Sequence, residues 1–143
     1  MTVEVYVGEC TTVGYHYVDH RLQARIKSPA GLAASNESIF VSLYHDHRVL
    51  GVMKSTDFCN LRVEMSESIS YLTLDSLSNV IYVGITYGVA RKELNKAGTS
   101  PEIVLSASGR GVGRFNETSF GDVRGLLILD HFNLLLCDQN NKR

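Results

Sequence analysis

The sequence is poor in the features that most often reveal a function. Its 143 residues carry 14 basic and 15 acidic side chains, for a net charge of -1. A dedicated duplex-binding domain would show a clear basic excess, so nucleic-acid contact is expected only from a local patch or from a surface built by several copies. No apolar run approaches the roughly 20 residues of a membrane span. The longest, Gly125 to Cys137, is interrupted by Asp130, His131 and Asn133. Met1 to Val7 lacks the basic flank and apolar core of a signal peptide. The three cysteines, Cys10, Cys59 and Cys137, are widely spaced and sit beside apolar residues, which reads as buried thiols in a reducing compartment. There is no Gly-x-Ser-x-Gly elbow, no P-loop and no dinucleotide fingerprint. No enzyme activity, no cofactor and no metal site is expected.

What is present is strand. Ser68 to Gly88 is the most concentrated run of β-branched and aromatic residues, divided at Asp75-Ser76-Leu77-Ser78-Asn79. Its second half, Val80 to Tyr87, is apolar on both faces apart from Gly84 and Thr86. A strand of that kind lies inside a sheet or is covered on both sides, and this one is predicted to be the central strand. Thr2 to Val7 and His16 to Lys27 alternate as half-buried strands. Ile39 to His45 and Arg48 to Met53 form a hairpin pair around Asp46-His47, and Leu61, Val63 and Met65 mark a further strand. Ser28 to Ser38 reads as a loop, with a helical turn at Ala30 to Ala34. Val89 to Ala97 reads as a short helix closed by Gly98 and Pro101. Glu102 to Ala107 is a strand, Ser108 to Gly121 a glycine-rich loop, and Asp122 to Leu129 with Leu134 to Asp138 a last apolar pair, either a hairpin or partly a helix. No repeat is visible at solenoid periods. The expected architecture is mainly β with one or two short helices, an antiparallel sandwich or partly closed barrel, as one domain over residues 1–138 with a frayed tail at 139–143.

Candidate site residues fall into three groups. The glycine-rich segment Gly109-Arg110-Gly111-Val112-Gly113-Arg114 lets backbone amides approach an anion, with Arg110 and Arg114 as bidentate donors and Arg124 able to join them. Arg21, Arg25 and Lys27 form a cationic stripe that assembly of several copies would multiply. Among seven tyrosines, Tyr17, Tyr71, Tyr82 and Tyr87 are candidates for self-association, since tyrosine is favoured at interfaces. His45-Asp46-His47 resembles a fragment of a metal site, yet no third ligand is marked.

Leu72-Thr73-Leu74-Asp75-Ser76-Leu77-Ser78 resembles the matrix proteins of bornaviruses and related non-segmented negative-strand RNA viruses, whose pattern has Asn where this chain has Asp75. The resemblance implies a small structural protein that self-associates, as a tetramer, beneath the viral envelope. It further implies contact with the anionic inner leaflet and the ribonucleoprotein, non-specific RNA binding, residence in the virion and the host cytoplasm, and no catalytic residues. The alternative from another class is a soluble intracellular β-rich ligand-binding or enzymatic domain, in which His16, His20, His45 and Asp46 converge at one end of the sheet.

Overall fold

The computed structural model describes residues 6–8, 19–106, 122–130 and 133–139. It is built from eleven strands in three antiparallel sheets, with a single 3-10 turn, Tyr44–Asp46, and no α-helix among the described residues. The first sheet comprises β1 (Asp19–His20), β2 (Pro29–Ala34), β3 (Ser38–Leu43), β4 (Arg48–Met53) and β5 (Phe58–Glu64), in the order β1-β5-β4-β3-β2. The second comprises β6 (Ile69–Asp75), β7 (Val80–Ile85), β8 (Gly88–Glu93) and β9 (Glu102–Ser106), in sequence order. β10 (Val123–Asp130) and β11 (Asn133–Asp138) form a hairpin. The fold is mainly β, as expected, and its sheets stack face to face without closing into a barrel.

The three units follow one plan. In the first two, four consecutive strands run as a meander. The opening strands β2, β6 and β10 lie side by side, with β6 packed against both of the others. Phe40, Val49 and Val63 of the first sheet meet Ile69, Leu72, Ile81, Val83, Ile85 and Ala90 of the second in one buried cluster. The other face of the second sheet contributes Val89 and Leu105 to a cluster with Val123, against which Leu126, Leu134 and Leu136 of the hairpin pack. The second sheet is therefore covered on both sides, which is why Val80 to Ile85 has no polar face. The far side of the first sheet buries Val41, Leu43, Leu50, Val52 and Cys59 with Ala24, Val7 and Ile26 of the N-terminal segment.

At each junction a hydroxyl crosses from one sheet to the next opening strand. Gly31 on β2 pairs with Ser42 on β3. The Ser42 hydroxyl donates to the Ser70 carbonyl of β6 at 2.6 Å. A Cβ at Gly31 would stand 3.1 Å from Tyr71 Cα, so any side chain here pushes the two backbones apart by a few tenths of an ångström. In the second sheet the roles exchange strands. Ser70 is on the opening strand and Gly84 on the next, and the Ser70 hydroxyl donates to the Val123 carbonyl of β10 at 2.5 Å. The Ile128 amide also donates to Thr73 Oγ1 across this junction. Arginine on the third strand faces glutamate on the fourth in both sheets, Arg48 with Glu64 and Arg91 with Glu102. These exposed pairs add little stability.

Several expectations are corrected. Val89 to Ala97 is not helical: Gly88–Glu93 is strand β8, followed by turns. Val89 and Ala90 are both buried because neighbours cover both faces of β8, and two adjacent apolar residues look the same at the start of a helix. Ala30 to Ala34 is neither loop nor helical turn but lies in strand β2, with Pro29 at its first position, where no ladder amide is required. Of the long strand expected over His16 to Lys27, only Asp19–His20 is regular strand among the described residues, and a turn over Arg21 to Gln23 ends it. The Gln23 amide bonds back to the His20 carbonyl. Cys59 is buried, but Cys137 is exposed. Cys10, the glycine-rich loop 108–121 and most of Thr2 to Val7 lie outside the described residues. No helix among the described residues is long and apolar enough to cross a membrane.

Candidate functional site

Strand direction sorts the connections into two ends. The β3–β4 turn, the β5–β6 connection, the β7–β8 turn and the start of β10 share one end, here termed the rim. Three units contribute to it. From the first sheet, Tyr44 to Asp46 form the 3-10 turn, and His47 takes a left-handed conformation at φ 58° that reverses the chain into β4. Neither Gly nor Asn supplies this conformation, so it costs backbone strain. From the second, Ser68 places its hydroxyl 3.4 Å from His47 Nε2. From the hairpin, the Arg124 guanidinium lies 5.7 Å over the Tyr44 ring and pairs with Asp122 at 2.6 Å. Tyr44 in turn meets His45 edge to face at 4.9 Å. Glu67 Oε2, one residue before Ser68, is buried and has no hydrogen-bond partner among the described residues. Phenol, imidazole, hydroxyl, carboxylate and guanidinium are thus gathered from three separate segments.

The other predicted residues are distributed differently. Arg110 and Arg114 lie outside the described residues, but Ser106 and Asp122, which flank that segment, are both at the rim. Arg21 is at the opposite end: its Nε meets Asp57 Oδ1 at 2.7 Å, and its guanidinium sits 4.7 Å over the Tyr6 ring. Arg25 and Lys27 follow it along the N-terminal segment, on the far side of the first sheet from the second. The stripe therefore does not share a surface with Arg124, and the glycine-rich segment lies outside the described residues. Tyr71 borders a shallow apolar depression with Val7, Ile26, Pro29, Leu32 and Val41. Tyr82 packs against the cluster beneath the hairpin. Tyr87 is exposed in the β7–β8 turn at the rim, and Tyr17 lies outside the described residues.

The histidines do not converge. His20 Nε2 is 3.7 Å from Asp57 Oδ2, beside the β4–β5 turn, whereas His45 and Asp46 are in the β3–β4 turn. The length of β4 separates them, six residues at about 3.3 Å each, or about 20 Å. His16 is outside the described residues. Among the described residues no three of His, Cys, Asp and Glu gather to hold a metal ion. Sequence reasoning missed Tyr44 and Ser68 as partners. The signal for both was topological, since each follows or precedes a strand whose end lies at the rim.

No family model matches the chain, and no curated protein matches it. It is similar in structure to a structural genomics protein of unknown function from Bacteroides thetaiotaomicron, with a TM-score of 0.67 and 17% identity over 96% of this chain and 33% of that one. It is also similar to the PQQ-bound aldose sugar dehydrogenase of Streptomyces coelicolor, with a TM-score of 0.46 and 16% identity over 65% of this chain and 34% of that one. The chain spans about a third of the length of each, and the first likeness shows a shared fold.

Proposed function

We propose that this chain is a run of propeller-type blades that serves as a recognition platform, non-catalytic, binding a phosphate-bearing ligand at the rim. Four-stranded meanders stacked with their opening strands adjacent are how the blades of a propeller succeed one another. Such a scaffold holds its connections rigidly, and binding residues concentrate there. The observation that carries the reading is the convergence of three units, with Arg124 of the hairpin over Tyr44 of the first sheet. The Asp122 carboxylate holds Nε and Nη2 of Arg124, the aromatic ring beneath the guanidinium fixes its orientation, and the donors that remain suit phosphate. The segment between Ser106 and Asp122, whose two ends are at the rim, carries Arg110 and Arg114 as further candidate donors.

The test is binding of a single-stranded RNA oligonucleotide, and separately of vesicles containing an anionic phospholipid, each across a salt series. Binding that weakens with salt, and weakens about three- to tenfold further in Arg124→Ala, is the expected result. Binding by the wild type that Arg124→Ala and Arg110→Ala/Arg114→Ala both leave unchanged refutes it. A second reading, the self-associating matrix-type protein with membrane and ribonucleoprotein partners, draws support from the exposed apolar face of the hairpin. It needs the same phosphate contacts, and the vesicle arm tests it.

A further inference from the structure

The β10–β11 hairpin has two unlike faces. Leu126, Ile128, Leu134 and Leu136 are partly buried, and three of them pack on the cluster shared with the second sheet. The opposite face carries Leu127, Leu129 and Leu135, which are 52%, 61% and 54% exposed. Three leucines on one open sheet face form a contiguous apolar patch, a feature that marks an interaction surface. The same face carries Gly125, paired directly with the exposed Cys137. A Cβ at Gly125 would stand 3.4 Å from both Cβ and Sγ of Cys137.

That pair repeats a device the chain uses twice. Gly31 faces Ser42, and the pair seats β6. Ser70 and Gly84 adjoin, and the pair seats β10. In each case a residue without a side chain and a short polar group admit the opening strand of the next sheet, and the polar group donates to its backbone. Gly125 and Cys137 are the third such pair, with a thiol in place of the hydroxyl, and among the described residues no strand is seated on them.

We infer that this face seats a second copy of the chain, head to tail, through the second copy's β2. The occupant follows from the two junctions already formed, because what each accepts is an opening strand. Among the described residues there are three, and β6 and β10 are already seated on the preceding sheet. Among the described residues β2 has no preceding sheet against its corresponding side, where Val7 and Ile26 of the N-terminal segment line part of the depression. That side carries Leu32, 70% exposed, at the edge of the depression it shares with Pro29, Val41 and Tyr71. Apolar surface on one copy thus meets apolar surface on the next, in the same order in which the sheets already succeed one another. The contact is heterologous, so it closes into a ring or runs on as a filament. The inference rests on the sheet packing and is independent of the ligand proposed for the rim.

The experiment is light scattering coupled to size exclusion over a concentration series, with Leu135→Glu on the hairpin face and Leu32→Glu on β2. Both side chains are exposed, so each variant keeps the fold, and far-ultraviolet circular dichroism verifies this. The wild type is expected to grow in mass with concentration, and each variant to weaken association at least about tenfold, since each buries a charge in an apolar contact. An equimolar mixture of the two variants is expected to give a dimer and nothing larger, because it contains one intact pair of surfaces. A wild type that stays monomeric throughout overturns the inference. So does Leu32→Glu that assembles normally while Leu135→Glu does not, which would mean that the hairpin face pairs with itself. Failure of the mixture to form a dimer overturns the head-to-tail arrangement.

Discussion

The two junctions inside the molecule solve one steric problem with the same two residue types in opposite places. Between the first and second sheets, glycine is on the opening strand and serine on its neighbour. Between the second sheet and the hairpin, serine is on the opening strand and glycine on its neighbour. In both, a buried hydroxyl donates to the backbone of the incoming strand. The site requires one absent side chain and one donor at the crossing. It does not require either on a particular strand. The junctions differ in cover: the first buries a larger apolar cluster than the second.

That difference is sharpened first by core truncation. Ile81→Ala, in the larger cluster and fully buried, is expected to destabilise by about 2–5 kcal/mol in urea unfolding. Val123→Ala, in the smaller cluster, removes fewer atoms and is expected to cost about 1–3 kcal/mol. Equal losses, despite the smaller truncation at Val123, would mean that the second junction is the more tightly packed for each atom removed.

Glycine replacement comes next. Gly31→Ala brings a methyl to within 3.1 Å of Tyr71 Cα and 3.3 Å of the Leu72 amide nitrogen, both backbone of a covered sheet. Gly84→Ala meets the Ser70 hydroxyl at 3.1 Å, a Val123 methyl at 3.2 Å and the Val123 carbonyl oxygen at 3.3 Å, and its two nearest contacts are side-chain atoms, which yield more easily. Gly31→Ala is expected to cost about 1–3 kcal/mol, and Gly84→Ala less. The reverse order would show that the first junction has slack the second lacks. Hydroxyl removal is smaller still: Ser42→Ala and Ser70→Ala each lose a buried donor, about 1 kcal/mol. The thermal midpoint measures both.

Much of the fold was legible in the sequence, and what was not has a physical reason. Val80 to Tyr87 announced a strand covered twice, and β7 is that strand. The β3–β4 hairpin followed from alternation around Asp46-His47, while the pair broken at Asp130 read equally as a hairpin or partly as a helix, and it is the hairpin β10–β11. The stacking was hidden because the repeat lies in backbone pairing. Ser42 and Ser70 share a role but occupy different strands, so the sequence has no repeating letter there. Gly31 read as a breaker when it marks a close approach. The matrix-like stretch Leu72 to Ser78 is the end of β6 and the turn after it, where Asp75 Oδ1 accepts from the Leu77 and Ser78 amides. A carboxylate or amide at that position suits such a turn. The rim was only partly foreseen: Arg124 was named from its charge, while Tyr44 and Ser68 meet it and His47 only through the stacking.

The exchange of roles between strands permits a last and more selective change. Ser70→Gly with Gly84→Ser gives the second sheet the order of the first, glycine leading and serine following. Alone, Ser70→Gly removes the donor to Val123. Alone, Gly84→Ser drives its Cβ against the Ser70 hydroxyl at 3.1 Å. Together, the contact with the Ser70 hydroxyl disappears, while those of the new Cβ with the Val123 methyl at 3.2 Å and the Val123 carbonyl oxygen at 3.3 Å remain, and the new hydroxyl lies near that carbonyl. The double variant is expected to be more stable than the sum of the singles predicts, with a favourable coupling of about 1 kcal/mol or more. A strictly additive pair would mean that each residue answers to its own strand, and that the likeness between the junctions is incidental. A coupled pair would mean that the crossing itself is the unit, and would give Gly125 and Cys137 the same standing as the two pairs that precede them.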